Sequence, residues 1–421
     1  MTTADVAVVG GGPAGAAAAI TLARAGRSVV LVDRATFPRD KCCGDGLTTS
    51  ALRSLDALGL RPEAVRSWYQ VDDVHVRGPA GHRITFPLPR GNGLYAAVAR
   101  RSDLDAALLD VARDAGVRVH DGCRLRGARW APDDETVSLH VDGLGPVRAR
   151  YAVGADGMWS PLRKALGVPH GEGYLGEWHA FRQYFAGVAE QASNELWVWF
   201  EPDLLPGYAW SFPLGGGRAN VGFGVQRQAG ASVQAMGKQW ADLLGRDHIR
   251  EALGPAAAPE SPHKAWPIPA RVEDTVLWAA GGRALFVGDA ARATDPMTGE
   301  GIGQALETGV LAARSILAAG ALHPERAACA YRSAVTRGLA VDNRLAGFLS
   351  QHGIAHRKGV RGVLRLAGST GWTRRNFARW LFEDYPRAVV ATPHRWRRGV
   401  FTGPGAYRAP ARAPEPVPAP G

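Results

Sequence analysis

Ala4-Asp5-Val6-Ala7-Val8-Val9-Gly10-Gly11-Gly12-Pro13-Ala14-Gly15, near the amino terminus, is a Val-rich apolar run that breaks into glycines. Ala4–Val9 reads as a strand buried on both faces, because the run does not alternate with polar residues. Ala14–Ala25 is Ala-rich and predicts a helix, with Gly26 as its C′ residue. Ser28–Val32 is the second strand, which completes a βαβ unit. Between the first strand and the helix stands G-x-G-x-x-G, formed by Gly10, Gly12 and Gly15. Gly10 permits a tight turn, Gly12 lets a pyrophosphate approach the backbone, and Gly15 lets helix and strand pack closely. The helix N-terminus, with Pro13 and Ala14 in its first turn, faces the phosphate charge. Asp33 ends the second strand, where an acid holds a ribose hydroxyl. This is a dinucleotide fingerprint, and alone it does not choose between FAD and NAD.

Two further segments bear on that choice. Val153-Gly154-Ala155-Asp156-Gly157 is a strand ending in a glycine-flanked aspartate, followed by Ser160 and Arg163. Phe286-Val287-Gly288-Asp289-Ala290-Ala291 is another, followed by Asp295-Pro296-Met297-Thr298-Gly299-Glu300-Gly301-Ile302. An aspartate at a strand end suits a ribityl chain. Backbone without side chains at Gly299 and Gly301 lets a flat ring lie against the next helix, whose positive end suits charge on a reduced flavin.

The rest of the chain fits two or three domains. It has 421 residues, 46% of them hydrophobic and 21% charged, which excludes disorder over most of its length. Helices are expected at Ser50–Leu58, Asp103–Ala115, Val233–Leu244 and Ile302–Leu317. A hairpin is expected over Val71–Pro87, and strands at Val117–His120, Thr136–Val153 and Ala284–Gly288. Between Trp178 and Gln226 aromatic and β-branched residues alternate between Gly/Pro turns, the pattern of an antiparallel sheet. The expected architecture is α/β, a discontinuous FAD-binding Rossmann-like domain with an inserted antiparallel β-sheet substrate domain and a helical C-terminal cap. Residues 1–70, 101–175 and 275–325 form the first, and 71–100 with 176–274 the second. Residues 326–403 form the basic helical cap, and 404–421, with six prolines, a disordered tail.

Charge is concentrated in the cap. Residues 351–400 hold eleven Arg or Lys against Glu383 and Asp384 alone, a net +9. Such a patch suits an anionic membrane surface or a nucleic acid. A genome that favours Arg would also raise the overall count of basic residues, since the chain has 45 Arg and only 5 Lys. No window reaches the ~20 apolar residues of a spanning helix. No secretory signal precedes the first strand, and the four cysteines form no disulfide framework, so a cytoplasmic protein is expected. Adjacent Cys42 and Cys43 lack ligand spacing, and the twelve histidines show none either, so no metal is expected.

The ordered set of Gly10/Gly12/Gly15, Arg101-x-x-Leu104-Asp105, Gly154-Ala155-Asp156-Gly157 and Gly288-Asp289…Asp295-Pro296 resembles the flavoproteins related to p-hydroxybenzoate hydroxylase. Two signatures are similar to the geranylgeranyl reductase family within it. One is Phe37-Pro38-Arg39-Asp40-Lys41-Cys42-Cys43-Gly44-Asp45-Gly46-Leu47. The other is Pro206-Gly207-Tyr208-Ala209-Trp210-Ser211-Phe212-Pro213 with Gly222-Phe223-Gly224. The C-terminal Trp372-Thr373-Arg374-Arg375-Asn376-Phe377 and Phe382-Glu383-Asp384-Tyr385-Pro386 look like the actinobacterial branch, which includes menaquinone reductases.

The resemblance implies FAD and saturation of an isoprenoid C=C bond, on a menaquinone side chain or a geranylgeranyl group. A monooxygenase or epoxidase acting on a terpenoid or aromatic product uses the same scaffold and is the alternative. The resemblance places Cys43, Gly44, Asp45, Arg101 and Leu125 at the cofactor with Asp156, Asp289, Pro296, Gly299, Gly301 and Ile302. Cys43 is either a flavin-side residue or a small apolar one packing beneath the ring. Tyr208 and Trp210 share a strand face with Phe212, because side chains alternate. By resemblance they line the prenyl pocket, with Tyr208, Trp210 and Cys43 as catalytic candidates and Phe212 and Trp372 touching substrate. Trp197-Val198-Trp199-Phe200-Glu201-Pro202 approaches a flavin-halogenase signature, but Glu201 stands where that signature has Ile. No second dinucleotide fingerprint appears, so either NAD(P)H binds transiently or a separate reductase supplies electrons. The expected partner is an isoprenoid lipid, with peripheral contact to anionic membrane on the inner face and no nucleic acid. The oligomeric state stays open.

Overall fold

The computed structural model describes residues 2–71, 73–88, 95–227 and 233–401. The Pro-rich segment 404–421 lies outside them. Five strands form a parallel core in the order Ala284–Phe286, Gly145–Gly154, Thr2–Val9, Val29–Val32, Arg118–His120. Val6–Val9, Val29–Val32, Tyr151–Gly154 and Ala284–Phe286 are buried on both faces, as helix-covered parallel strands require, while the edge strand Arg118–His120 is not. The hairpin Val137–Val141 with Gly145–Gly154 extends this sheet antiparallel, joined by Leu125–Arg129. The helix Pro13–Arg24 buries five alanines, Ile20 and Leu22 against the sheet and against the helix Ile302–Ala319.

The second sheet runs Ala258–Pro259, Trp178–Ala186, Arg218–Gln226, Tyr208–Gly215, Leu196–Trp199, Asp73–Arg77, Arg83–Pro87. Lys264–Ile268 also pairs with Trp178–Ala186. One face packs Phe181, Phe223 and Trp240 with the helix Val233–Gly245. A small third sheet, Gly46–Thr48, Ala96–Val98 and Tyr69–Gln70, lies where the two large ones approach.

Beyond Arg326 the chain is helical, over Pro324–Arg337, Leu339–Phe348, Arg357–Gly368 and Gly371–Leu381. Val360, Leu364 and Ala367 of the third helix and Ala378 and Phe382 beyond it bury against the hairpin Asp73–Arg77/Arg83–Pro87. The basic region is therefore clamped to the second sheet by an apolar stripe. Its charges divide. Arg357, Lys358, Arg361, Arg365, Arg374, Arg397 and Arg398 are exposed. Arg379 and Arg387 are buried, paired with Asp384 at 2.7 Å and Asp295 at 3.0 Å.

Candidate active site

The glycine turn works as its sequence implies. Gly10 has φ 107°, and a Cβ on it would meet the Ala155 carbonyl oxygen at 2.2 Å. A Cβ on Gly15 would stand 1.9 Å from the Gly10 oxygen, so only glycine lets helix and turn meet. Gly12 caps the helix in extended conformation without a side-chain hydrogen bond, and Pro13 at N1 has no N–H to satisfy. The remaining first-turn N–H groups lie open to an anion.

Two guanidinium groups stand over this turn. A Cβ built on Gly12 would lie 3.6 Å from Arg39 Nη2 and 3.8 Å from Arg101 Nη2. Asp105 clamps both, taking Arg101 Nε at 2.9 Å and Nη2 at 2.7 Å, with Arg39 Nη1 at 2.9 Å. Burial opposes the Arg101 charge, but Asp105 outweighs it and holds the pKa above the ordinary value. Asp33 ties the loop, accepting Gly11 N at 2.6 Å and Ala35 N at 2.8 Å. Asp289 pairs with Lys41 Nζ at 2.7 Å; burial raises its pKa, and Lys41 more than reverses that. Asp156 caps the short helix Pro161–Ala165 through Ser160 Oγ (2.6 Å) and Leu162 N (2.8 Å), and burial pushes its pKa up to about 6.

Cys43-Gly44-Asp45 crosses between the two sheets. Asp45 is fully buried at φ 66° and accepts Tyr184 Oη at 2.7 Å, Asn220 Nδ2 at 2.8 Å and Arg101 N at 3.3 Å. Asn220 Nδ2 also donates to the Cys43 carbonyl at 2.8 Å, which fixes the segment. Burial raises the Cys43 pKa and pushes Cys42 up to about 12, so both stay thiols.

Tyr208, Trp210 and Phe212 stand on one face of their strand with ring centroids about 6 Å apart, and Phe200 extends the row beside Tyr208. Phe212 presses on the segment, 3.1 Å from a Cβ built on either Gly44 or Gly46. The Tyr208 hydroxyl donates to the Thr298 carbonyl, and burial raises its pKa. That bond ties the aromatic wall to the loop Asp295–Gly301. The loop is held by Asp295, which accepts Met297 N and Thr298 N, each at 2.8 Å.

These parts enclose one cavity of about 1190 Å³. Its lining includes Gly10, Gly12, Pro13, Ala14, Asp33, Cys43, Gly44, Asp45, Arg101, Leu125, Asp156, Asp289, Gly299, Gly301 and Ile302, then Tyr208, Trp210 and Phe212. Three expected residues fall elsewhere. Gly15 serves the packing beneath the turn, and Pro296 packs on Gly347. Trp372 is 54% exposed and outside the cavity; the same helix turns Phe377, Trp380 and Leu381 inward instead. Arg39, Lys41, Asp105 and Glu300 lay inside quoted motifs without a role. Tyr184 and Asn220 carry no local signal, because their partners are distant in sequence, and Glu383 stood in a quoted motif without a role, four residues before its partner Arg387.

Residues 3–321 match the model of a family described as FAD binding domain. The chain belongs to that family. It is 35% identical over 370 residues to menaquinone reductase of Mycolicibacterium smegmatis, covering 83% of this chain and 85% of that one. It is 29% identical to digeranylgeranylglycerophospholipid reductase of Methanosarcina mazei, over 73% and 74% of the two chains. In fold it is similar to a geranylgeranyl bacteriochlorophyll reductase-like protein from Thermoplasma acidophilum (TM-score 0.75, 20% identity, 94% of this chain and all of that one). The protein is an FAD-dependent oxidoreductase. Its cavity fits FAD on its own geometry: an uncapped helix start under two clamped guanidinium groups suits a pyrophosphate, and the glycines of the 299–301 loop leave room for a flat ring.

Proposed function

We propose that this protein saturates C=C bonds of an isoprenoid lipid, a menaquinone side chain or a geranylgeranyl group. The cavity's shape supports this most directly. From the glycine turn it runs along Tyr208, Trp210 and Phe212 into an apolar arm under Ile354, Val360, Leu364, Phe377 and Trp380. Such an arm suits a chain without polar groups. The names carried by the actinobacterial and archaeal relatives point the same way.

In this reading Gly12, Pro13, Ala14, Arg39 and Arg101 hold the pyrophosphate and Asp33 the adjoining ribose. Asp156, Asp289, Leu125 and Cys43–Asp45 flank the rest of the cofactor, with Gly299, Gly301 and Ile302 at the ring. FAD, when bound and reduced, supplies the hydride. The chain's own contribution is a dry slot: Trp210 and Phe212 exclude water and Tyr208 fixes the loop, so the alkene is held in one orientation. Either NAD(P)H, bound transiently, or a separate reductase provides the electrons.

The protein reads as cytoplasmic and peripheral on the inner face of the cell membrane, since the substrate is a lipid. No helix among the described residues is long and apolar enough to cross a membrane. Residues 1–70, 101–175 and 275–325 serve the cofactor, and 71–100 with 176–274 serve the substrate.

The test is spectroscopic. Enzyme reduced under anaerobic conditions should be reoxidised by a polyprenyl quinone or geranylgeranyl acceptor. Trp210→Ala should slow that step while leaving the bound flavin spectrum nearly intact. No reoxidation by any prenyl acceptor would overturn the reading.

A further inference from the structure

Saturating an alkene takes a hydride at one carbon and a proton at the other, and the second requirement singles out one acid. Six carboxyl groups line the cavity: Asp33, Asp40, Asp45, Asp156, Asp289 and Glu300. Asp33, Asp45 and Asp156 have both oxygens occupied by hydrogen bonds. Asp40 and Asp289 are ion-paired with Arg182, Lys264 and Lys41. Glu300 differs from all five. Its Oε1 accepts Gly303 N at 2.9 Å, and among the described residues its Oε2 has no hydrogen-bond partner and the side chain no ion pair.

Further polar groups stand behind Glu300. Gly303 opens the helix Ile302–Ala319 next to it, and a Cβ there would lie 3.5 Å from Glu300 Oε1 and 3.6 Å from both Thr48 Oγ1 and Ala51 N. Thr48 Oγ1 donates to Glu383 Oε2 at 3.1 Å, and Gln304 Nε2 donates to Glu383 Oε1 at 2.9 Å. Glu383 and Gln304 line a second cleft of about 1500 Å³ whose walls carry Arg24, Arg53, Arg314 and Arg397. The buried Gln304 Oε1, without a partner in the protein, faces the same environment as an unused acceptor.

We propose that Glu300 is the general acid of the reaction, and that it is reprotonated from the side of the arginine-lined cleft, where Thr48 and Glu383 stand. The proposal rests on the prenyl-reductase reading. In the step, the O–H bond of Glu300 breaks as a C–H bond forms at one alkene carbon. The other carbon receives hydride from the reductant, a reduced flavin, which is thereby oxidised by two electrons. Glu300 is left as carboxylate until a proton arrives from the side of the cleft. The groups facing it are consistent with a proton store: Tyr208 and Cys43 on the cavity side, Asp295, Glu383 and Arg387 behind. Burial first, then Glu383, pushes the Glu300 pKa up, with Arg387 opposing.

The test uses holoenzyme with Glu300→Gln and Glu383→Gln. Flavin reoxidation by a polyprenyl quinone should fall ~100-fold or more in Glu300→Gln, the scale of general acid catalysis, with FAD occupancy and flavin reduction unchanged. The wild-type rate should decline as pH rises through the Glu300 titration, because the protonated form acts. Oxidised holoenzyme, without turnover, should show an infrared band of a protonated carboxyl that Glu300→Gln removes. Glu383→Gln keeps the size and shape of its side chain, so it should fold with full FAD occupancy and slow reoxidation where reprotonation limits the rate. If wild type turns over and Glu300→Gln matches it in rate and pH profile, or the infrared band persists in that variant, the proposal falls alone. If wild type is reoxidised by no polyprenyl acceptor, the reductase reading falls and takes this proposal with it.

Discussion

Asp45 shows how one side chain joins the two sheets and what that junction costs. It holds Tyr184 and Asn220 of the second sheet and the first N–H of the helix Arg101–Asp114, and burial pushes its pKa up to about 6 against the opposing hydrogen bonds. A carboxyl whose folded pKa exceeds its unfolded value binds its proton more tightly in the folded state. Its contribution to stability is therefore complete at low pH and lost as pH rises from about 4 through 6. The loss is about 3 kcal/mol, at roughly 1.4 kcal/mol per tenfold change in proton affinity. Asp45→Asn cannot ionise. In chemical denaturation of FAD-free protein, the variant should gain on wild type by about that amount between pH 4 and pH 7. A stability difference that does not move with pH would show that Asp45 keeps an ordinary carboxyl titration.

The helix Arg357–Gly368 has one buried stripe, Val360, Leu364 and Ala367, and an outer face of Arg357, Lys358, Arg361 and Arg365 beside Leu366, which is 69% exposed. Phe348 is also exposed nearby in sequence, and the cavity's apolar arm lies directly beneath this helix. A lipid entering that arm would pass a surface that offers cation and apolar side chain together. The four exposed cations should give salt-sensitive binding of anionic vesicles, each worth ~1 kcal/mol near the surface. Changing all four to Gln should cost at least about tenfold in affinity in co-sedimentation. Wild-type protein that stays in the supernatant with anionic vesicles at low salt would contradict this. Arg379 belongs to no such surface, since Asp384 holds it inside.

Elements of this kind were legible because their periodicity is local: the Val-rich run before Gly10, the Ala-rich helix after it, and alternation through Tyr208–Phe212. Trp372 was not. Five residues along a helix turn about 140°, so Trp372 points away when Phe377 faces the cavity, and composition alone does not set which face is buried. The third sheet escaped for a similar reason, since Gly46–Thr48 and Ala96–Val98 are three-residue strands defined by each other.

Across the whole molecule, the parallel sheet, the antiparallel sheet and the C-terminal helices each supply one side of a single cavity. The glycine turn and its clamped arginines form one end, the aromatic wall the middle, and the apolar arm the other end. Long-range polar contacts hold these layers in register: Arg182 of the second sheet reaches Asp40 at 2.5 Å, and Arg387 of the cap reaches Asp295 at 3.0 Å. Neither pair could be read from spacing, because the partners are separated by 142 and 92 residues. The central claim is that this cavity reduces a prenyl chain without inserting oxygen. The most direct measurement is the mass of a polyprenyl quinone recovered after incubation with holoenzyme and a reductant, with and without air. The expected product is heavier by two hydrogens per saturated bond and the same in both atmospheres. A product carrying an added oxygen atom, or an unchanged side chain after turnover of the flavin, would contradict it.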